Sequence, residues 1–233
     1  MGCGCVRNDN FDNLIRNFYD GLIIKNKEIN DVFELIKIKK SNTSKINKKK
    51  WEIFEDNLLL NPKFMEQSKK FFNYCLEESR KKYDKNEGYF FISILFFCQS
   101  NFEDFIKIFI SCCHSQAGLK EELFNENEKN FIKNEKLKKI LLFYLHLITN
   151  YCVDFIKELD DNPELFSEEF NKIFDDESVE KFFNENIFEN YFDVENVEIE
   201  KFFKEKLNLL KNDNLIRTTI YNDYILKTQK KNK

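Results

Sequence analysis

Apolar residues recur along this chain at intervals of three and four, the spacing of one helix face. Phe11, Leu14, Ile15 and Phe18 mark a first helix, and Ile29, Val32, Phe33 and Ile36 a second that gives way to KIKKSNTSKINKKK. Asn61 and Pro62 form a start signal, a capping side chain before a ring already set for the first turn. The stripe Phe64, Met65, Phe71, Phe72, Cys75 and Leu76 follows it. In SNFE, Ser100 and Glu103 have the spacing of a capping box, opening a helix that carries Phe102, Phe105, Ile106, Phe109 and Ile110. The longest element is expected between about residues 128 and 160. There Leu137, Leu141, Leu145, Ile148, Cys152, Phe155 and Leu159 step along one side, and Ile140, Tyr144, Leu147 and Tyr151 widen the stripe almost to the full circumference. A helix apolar on nearly every side belongs at the centre of a bundle.

Asn162 and Pro163 repeat the start signal. Beyond them three short amphipathic runs are expected: Leu165, Phe166, Phe170 and Phe174; Val179, Phe182, Phe183 and Phe188; and Ile199, Phe202, Phe203, Leu207 and Leu210. The last segment, NLIRTTIYNDYILK, is rich in β-branched residues and reads as either helix or strand. Only five glycines and two prolines punctuate the chain, too few for the turns of a sheet protein. The expected fold is all-α: a single irregular bundle of about seven to nine helices over residues 11–233, preceded by a flexible segment over residues 1–10.

Composition changes this picture little. With 27 Phe and one alanine, Ala117, the core is phenylalanine-rich in the way codon pressure from an AT-rich genome imposes. The apolar runs 89–98 and 140–149 are about half of the roughly 20 residues that a membrane crossing requires, so both read as buried helices. A secretory signal is not expected, because the first 30 residues lack a continuous apolar stretch. Cys75, Cys98 and Cys152 lie among apolar residues and read as small core hydrophobes.

Charge adds a polarity that the net value of −4 conceals. Residues 1–50 carry eleven Lys or Arg against six Asp or Glu, whereas the acidic helical part at 154–206 carries six against eighteen. Inside the basic part, the loop at about 37–50 holds Lys37, Lys39, Lys40, Lys45, Lys48, Lys49 and Lys50 with no acid among them, and Trp51 follows. Near an anionic leaflet such lysines contribute about 1 kcal/mol each, with Trp51 at headgroup level. Ser41, Thr43 and Ser44 lie within the run, where phosphorylation would weaken it. Nucleic acid is not expected as a partner, because the run lacks Arg and interleaved aromatics and the pI is about 5.5.

The extreme amino end is where the chemistry concentrates. Loss of Met1 would expose Gly2 as an amine acceptor for myristate, although the motif asks for Ser or Thr where Val6 stands. One myristoyl chain binds a bilayer with an association constant on the order of 10⁴ per molar, so stable attachment needs a second signal. Palmitate on Cys3 or Cys5 would supply it. MGCGC resembles the amino terminus of Src-family tyrosine kinases, in which the same five residues are myristoylated and dually palmitoylated. The resemblance covers these five residues alone, and no glycine-rich loop, HRD or DFG accompanies them. It implies lipidation at Gly2, Cys3 and Cys5.

Other chemistries fit poorly. CCHS places Cys112 and Cys113 side by side, without the spacing of zinc ligand pairs, and His114 and His146 are the only histidines. No motif joins a cysteine to His146 as a nucleophile and base, so no enzyme, metal or cofactor beyond the covalent myristate and palmitate is expected. Calcium loops starting at Asp160 or Asp175 would have Leu165 or Glu180 in place of the sixth-position glycine, and Asn171 or Asn186 in place of the twelfth-position glutamate. The expectation is an acylated helical scaffold or adaptor, peripheral on the cytoplasmic face of a membrane. Its basic end would hold anionic lipid while its acidic third meets an unidentified protein partner. A tethered sensor, either a degenerate EF-hand or a module binding a small GTPase, is the alternative.

Overall fold

The computed structural model describes residues 23–36, 65–82, 88–115, 130–149 and 173–231. At its centre lies α5 (Asn134–Ile148), in which Leu137, Ile140, Leu141, Phe143, Tyr144, Leu145, Leu147 and Ile148 are all buried. The stripe that nearly encircles this helix in the sequence therefore meets neighbours on several sides. Both ends depart from the expected span. Phe131–Lys133 precedes the helix as strand β1. Thr149 leaves helical backbone at φ −123° and ψ −103°, its hydroxyl donating back to the Leu145 carbonyl at 2.6 Å. Cys152, Phe155 and Leu159 lie outside the described residues, as do the expected first helix at 11–18, both Asn-Pro start signals and acidic residues 154–172.

Among the described residues, seven further helices complete the bundle. They are α1 (Ile29–Ile36), α2 (Met65–Lys82), α3 (Gly88–Ile94), α4 (Phe102–Ser115), α6 (Asp176–Phe182), α7 (Ile199–Leu210) and α8 (Asp213–Lys231). α3 lies along α5, α1 meets α4, α6 bridges α5 and α8, and α7 touches α4 and α8. The fold is thus mostly α, a helical bundle. Among the described residues, no helix is long and apolar enough to cross a membrane.

The run at 89–98 is buried throughout, but it is not one helix. α3 tightens into a 3-10 turn at Leu95–Phe97 and ends in an extended Cys98. Beyond it Gln99 bridges to the segment before α1, Ile29 N–H donating to the Gln99 carbonyl at 3.0 Å and Gln99 N–H to that of Lys27 at 2.9 Å. Packed on this turn is an aromatic cluster with Phe96 between Tyr144 (4.7 Å between ring centres) and Phe203 (5.9 Å), and Phe109 4.8 Å from Phe203. Such pairs add about 0.5–1.5 kcal/mol each to the free energy of burial.

One capping expectation is corrected. Asn101, not Ser100, opens α4: its Oδ1 accepts the Asp104 N–H at 2.8 Å while its Nδ2 donates to Asp104 Oδ2 at 2.7 Å. The Ser100 hydroxyl instead accepts from Lys211 Nζ, which also donates to the Cys98 carbonyl at 3.1 Å and lies 5.4 Å over the Phe105 ring. At α6, the Asp175 carboxylate accepts the Ser178 N–H at 2.8 Å as an N-cap.

The bundle also contains an antiparallel sheet that the helical periodicity does not predict. β1 pairs with β2 (Asn196–Glu198) in the register Phe131 to Glu198, Ile132 to Val197 and Lys133 to Asn196. Ile132 and Val197 face the core. Strands of three residues are too short to display an alternating pattern.

Candidate interaction site

Between α6 and β2 the backbone turns three times in quick succession, and each turn has a local cause. The helix first widens into a π-turn at Phe183–Ile187, with Phe188 N–H donating to the Phe183 carbonyl at 3.0 Å. Residues five apart point to well-separated sides of an α-helix; the wider turn brings Phe183 and Phe188 into a stack, 4.9 Å between centres and 26° between planes. A 3-10 turn follows at Glu189–Tyr191. A short irregular stretch, 192–195, then delivers the chain to β2. Sequence spacing suggests one amphipathic helix through Val179, Phe182, Phe183 and Phe188; the π-turn corrects that expectation.

The loop Phe188–Glu195 is held from two sides. From the first turn of α5, Asn134 donates its side-chain amide to the Tyr191 and Val194 carbonyls and its backbone N–H to the Glu195 carbonyl at 2.9 Å. One turn further on, the Lys138 ammonium lies 5.1 Å from the Phe188 ring centre and 5.0 Å from that of Phe192. From α7, Phe202 packs edge-on against Tyr191 at 5.0 Å, and Glu205 Oε2 accepts the Tyr191 hydroxyl at 3.0 Å. Burial and the hydrogen-bonded Glu205 carboxylate push the Tyr191 phenol up to about 12, because both penalise a phenolate. Lys206 closes the base of the loop by donating to the Asn186 carbonyl at 3.0 Å.

A loop with so many fixed points nevertheless leaves apolar side chains in water. Phe192 is 49% exposed and Val194 40% exposed, and the carboxylates of Glu189, Asp193 and Glu195 around them are exposed as well. Among the described residues the other large exposed hydrophobics are Leu215 and Leu226, three turns apart on α8, and such singly scattered residues need no explanation. Phe192 and Val194, two residues apart on a backbone-pinned loop, are therefore a candidate contact surface.

The sequence-predicted site residues fall elsewhere. Gly2, Cys3 and Cys5, together with Lys37, Lys39, Lys40, Lys45, Lys48, Lys49, Lys50 and Trp51, lie outside the described residues. Cys75, Cys98, Cys112 and Cys113 are buried; burial pushes the thiols of Cys98 and Cys113 well up, away from the reactive thiolate. His146 is buried at the end of α5, its Nδ1 3.6 Å from Asp176 Oδ1. No group of three metal-ligating side chains converges among the described residues. The interaction loop is absent from the sequence-based candidates, since Phe192 and Val194 carry no mark distinguishing them from the chain's other apolar residues. Its one legible sign is their place within the acidic third.

No protein-family model matches the chain, and no curated protein or solved structure is found to be similar to it.

Proposed function

We propose that this protein is a lipid-anchored helical adaptor that docks a protein partner through the loop Phe188–Glu195. The observation that carries partner binding is the exposure of Phe192 and Val194 on a backbone tied down by Asn134. Contact residues that are already ordered lose little conformational freedom on association, so a small apolar surface of this kind gains affinity from its preorganisation. Aromatic anchors that become buried on association are enriched among binding hot spots.

The attachment rests on MGCGC: with Met1 as the initiator, acylation of Gly2, Cys3 and Cys5 would place the protein on the cytoplasmic face of a membrane. The lysine run at 37–50 would add attraction to anionic lipid, and like-charge repulsion would turn the acidic part away from the bilayer.

Both halves are tested in native cells. Alkynyl myristate and palmitate should label the wild-type chain; Gly2→Ala should lose both labels and the membrane fraction, and Cys3→Ser/Cys5→Ser the palmitate alone. A photoreactive benzoylphenylalanine replacing Phe192 should cross-link a discrete partner band that the same residue at Leu226 does not yield. An unlabelled, wholly soluble wild-type chain removes the anchor, and identical cross-link patterns at the two positions remove the docking loop.

A further inference from the structure

We infer that the partner surface taken by this loop is a basic amphipathic helix, an apolar strip bordered by Lys or Arg; the inference rests on the docking reading above. Two features of the loop select this occupant. The first is charge. Phe192 and Val194 are flanked along the chain by the exposed acidic residues Glu189, Asp193 and Glu195. The Lys138 ammonium is engaged by the Phe188 and Phe192 rings. Among the described residues, 173–206 carry eleven acids against four bases, so their field acts in the same direction. A surface of this sign repels acidic helices, anionic headgroups and nucleic acid phosphates, and accelerates encounter with cationic partners.

The second feature is shape. Asn134 ties the carbonyls on both sides of Phe192, so the loop cannot open to wrap a partner. It presents a fixed contact in which apolar and acidic residues alternate from Phe192 to Glu195. The complementary surface is an apolar stripe with cations on its margins, which a helix with Lys or Arg beside its apolar face supplies from one element. The aliphatic stems of those cations extend the apolar contact while their heads reach the carboxylates.

The test uses the full chain and three defined probes: a leucine–lysine amphipathic peptide, its leucine–glutamate counterpart, and phosphatidylserine-containing vesicles. The lysine peptide should bind, with affinity lowered roughly tenfold or more by Phe192→Ser, as expected when an aromatic anchor is lost. Asp193→Asn/Glu195→Gln should weaken it, whereas the equal charge change Asp31→Asn/Glu103→Gln, at exposed positions on α1 and α4, should not. Raising salt from about 0.05 M to about 0.3 M should slow association more than it speeds dissociation. Unchanged circular dichroism and melting of each variant separate a lost contact from a lost fold.

Equal binding of the glutamate peptide overturns the inference, because the contact would then be merely apolar. Equal weakening by the two charge-neutralising pairs overturns it too, because the attraction would be unspecific. Vesicle binding that depends on Phe192 would identify a lipid occupant instead. If the lysine peptide fails to bind while the Phe192 cross-link in cells persists, the docking loop stands and the basic-helix partner falls.

Discussion

Tyr191 shows how much one residue of the loop depends on its surroundings. Its hydroxyl donates to Glu205, and its phenol titrates at about 12 rather than 10, so the folded protein holds this proton more tightly than the unfolded chain does. That contribution to stability is complete below pH 10. It is lost as pH rises through 10 to 12, where the unfolded state gains by ionising first. Absorbance titration of phenolate should therefore show a late-titrating tyrosine that Tyr191→Phe removes, and the variant should lose less stability than wild type over that alkaline range. An unchanged titration curve in the variant would refute the assignment. Nothing in the sequence marks Tyr191 apart from the chain's other tyrosines, because its partner is fourteen residues away on another helix. Ser100 teaches the same lesson in reverse. Its spacing to Glu103 satisfies a capping box, yet Lys211, more than a hundred residues later, takes its hydroxyl and leaves the cap to Asn101.

At the scale of elements, α8 is the instructive case, because Ile216, Thr218, Thr219, Ile220 and Ile225 leave its type undecided by propensity. Tertiary partners settle it as a helix. Ile216 and Ile220, one turn apart, are buried, and Asp213 in its first turn accepts from Arg217 Nη1 at 3.0 Å. Lys25, just before α1, approaches both Asp213 carboxylate oxygens at 3.3 Å. Arg217 is only 2% exposed, and the Asp213 carboxylate forms an ion pair with it while Asn214 Oδ1 accepts from its Nη2 at 3.3 Å. Asp213→Asn should destabilise the protein by about 3–5 kcal/mol, the range for removing one partner of a buried pair, as measured by urea denaturation. A loss below about 1 kcal/mol, the value of an exposed pair, would show that the cluster is solvated.

For the whole molecule, the central prediction is that loop rigidity and partner affinity move together. Asn134→Ala leaves Phe192, Val194 and every loop carboxylate in place but removes the donor to the Tyr191 and Val194 carbonyls. It should cost about 1–3 kcal/mol, the penalty for unsatisfied buried acceptors. Hydrogen exchange at the Tyr191 and Val194 amides should quicken, and affinity for the lysine peptide should fall although no contact residue has changed. Unaltered exchange with reduced affinity would break the link between the two. At this scale the distance between chain positions matters most: Asn134 and Val194 are sixty residues apart, and no local pattern could pair them.

The sequence by itself determined the helical class, the stripes of α1, α4 and α7, and the central place of α5. It did so because burial needs one apolar face per helix, and the period of that face is written locally. It also carries the acidic third and the MGCGC motif as plain composition. Only the tertiary structure decided where α5 starts and stops, that β1 and β2 pair, that α8 is helical, and that Phe192 and Val194 remain in water while Phe188 and Tyr191 do not. Those outcomes depend on hydrogen bonds and ring contacts between residues far apart along the chain. Such contacts have no period, so only the folded arrangement decides which phenylalanines are covered and which are left to meet a partner.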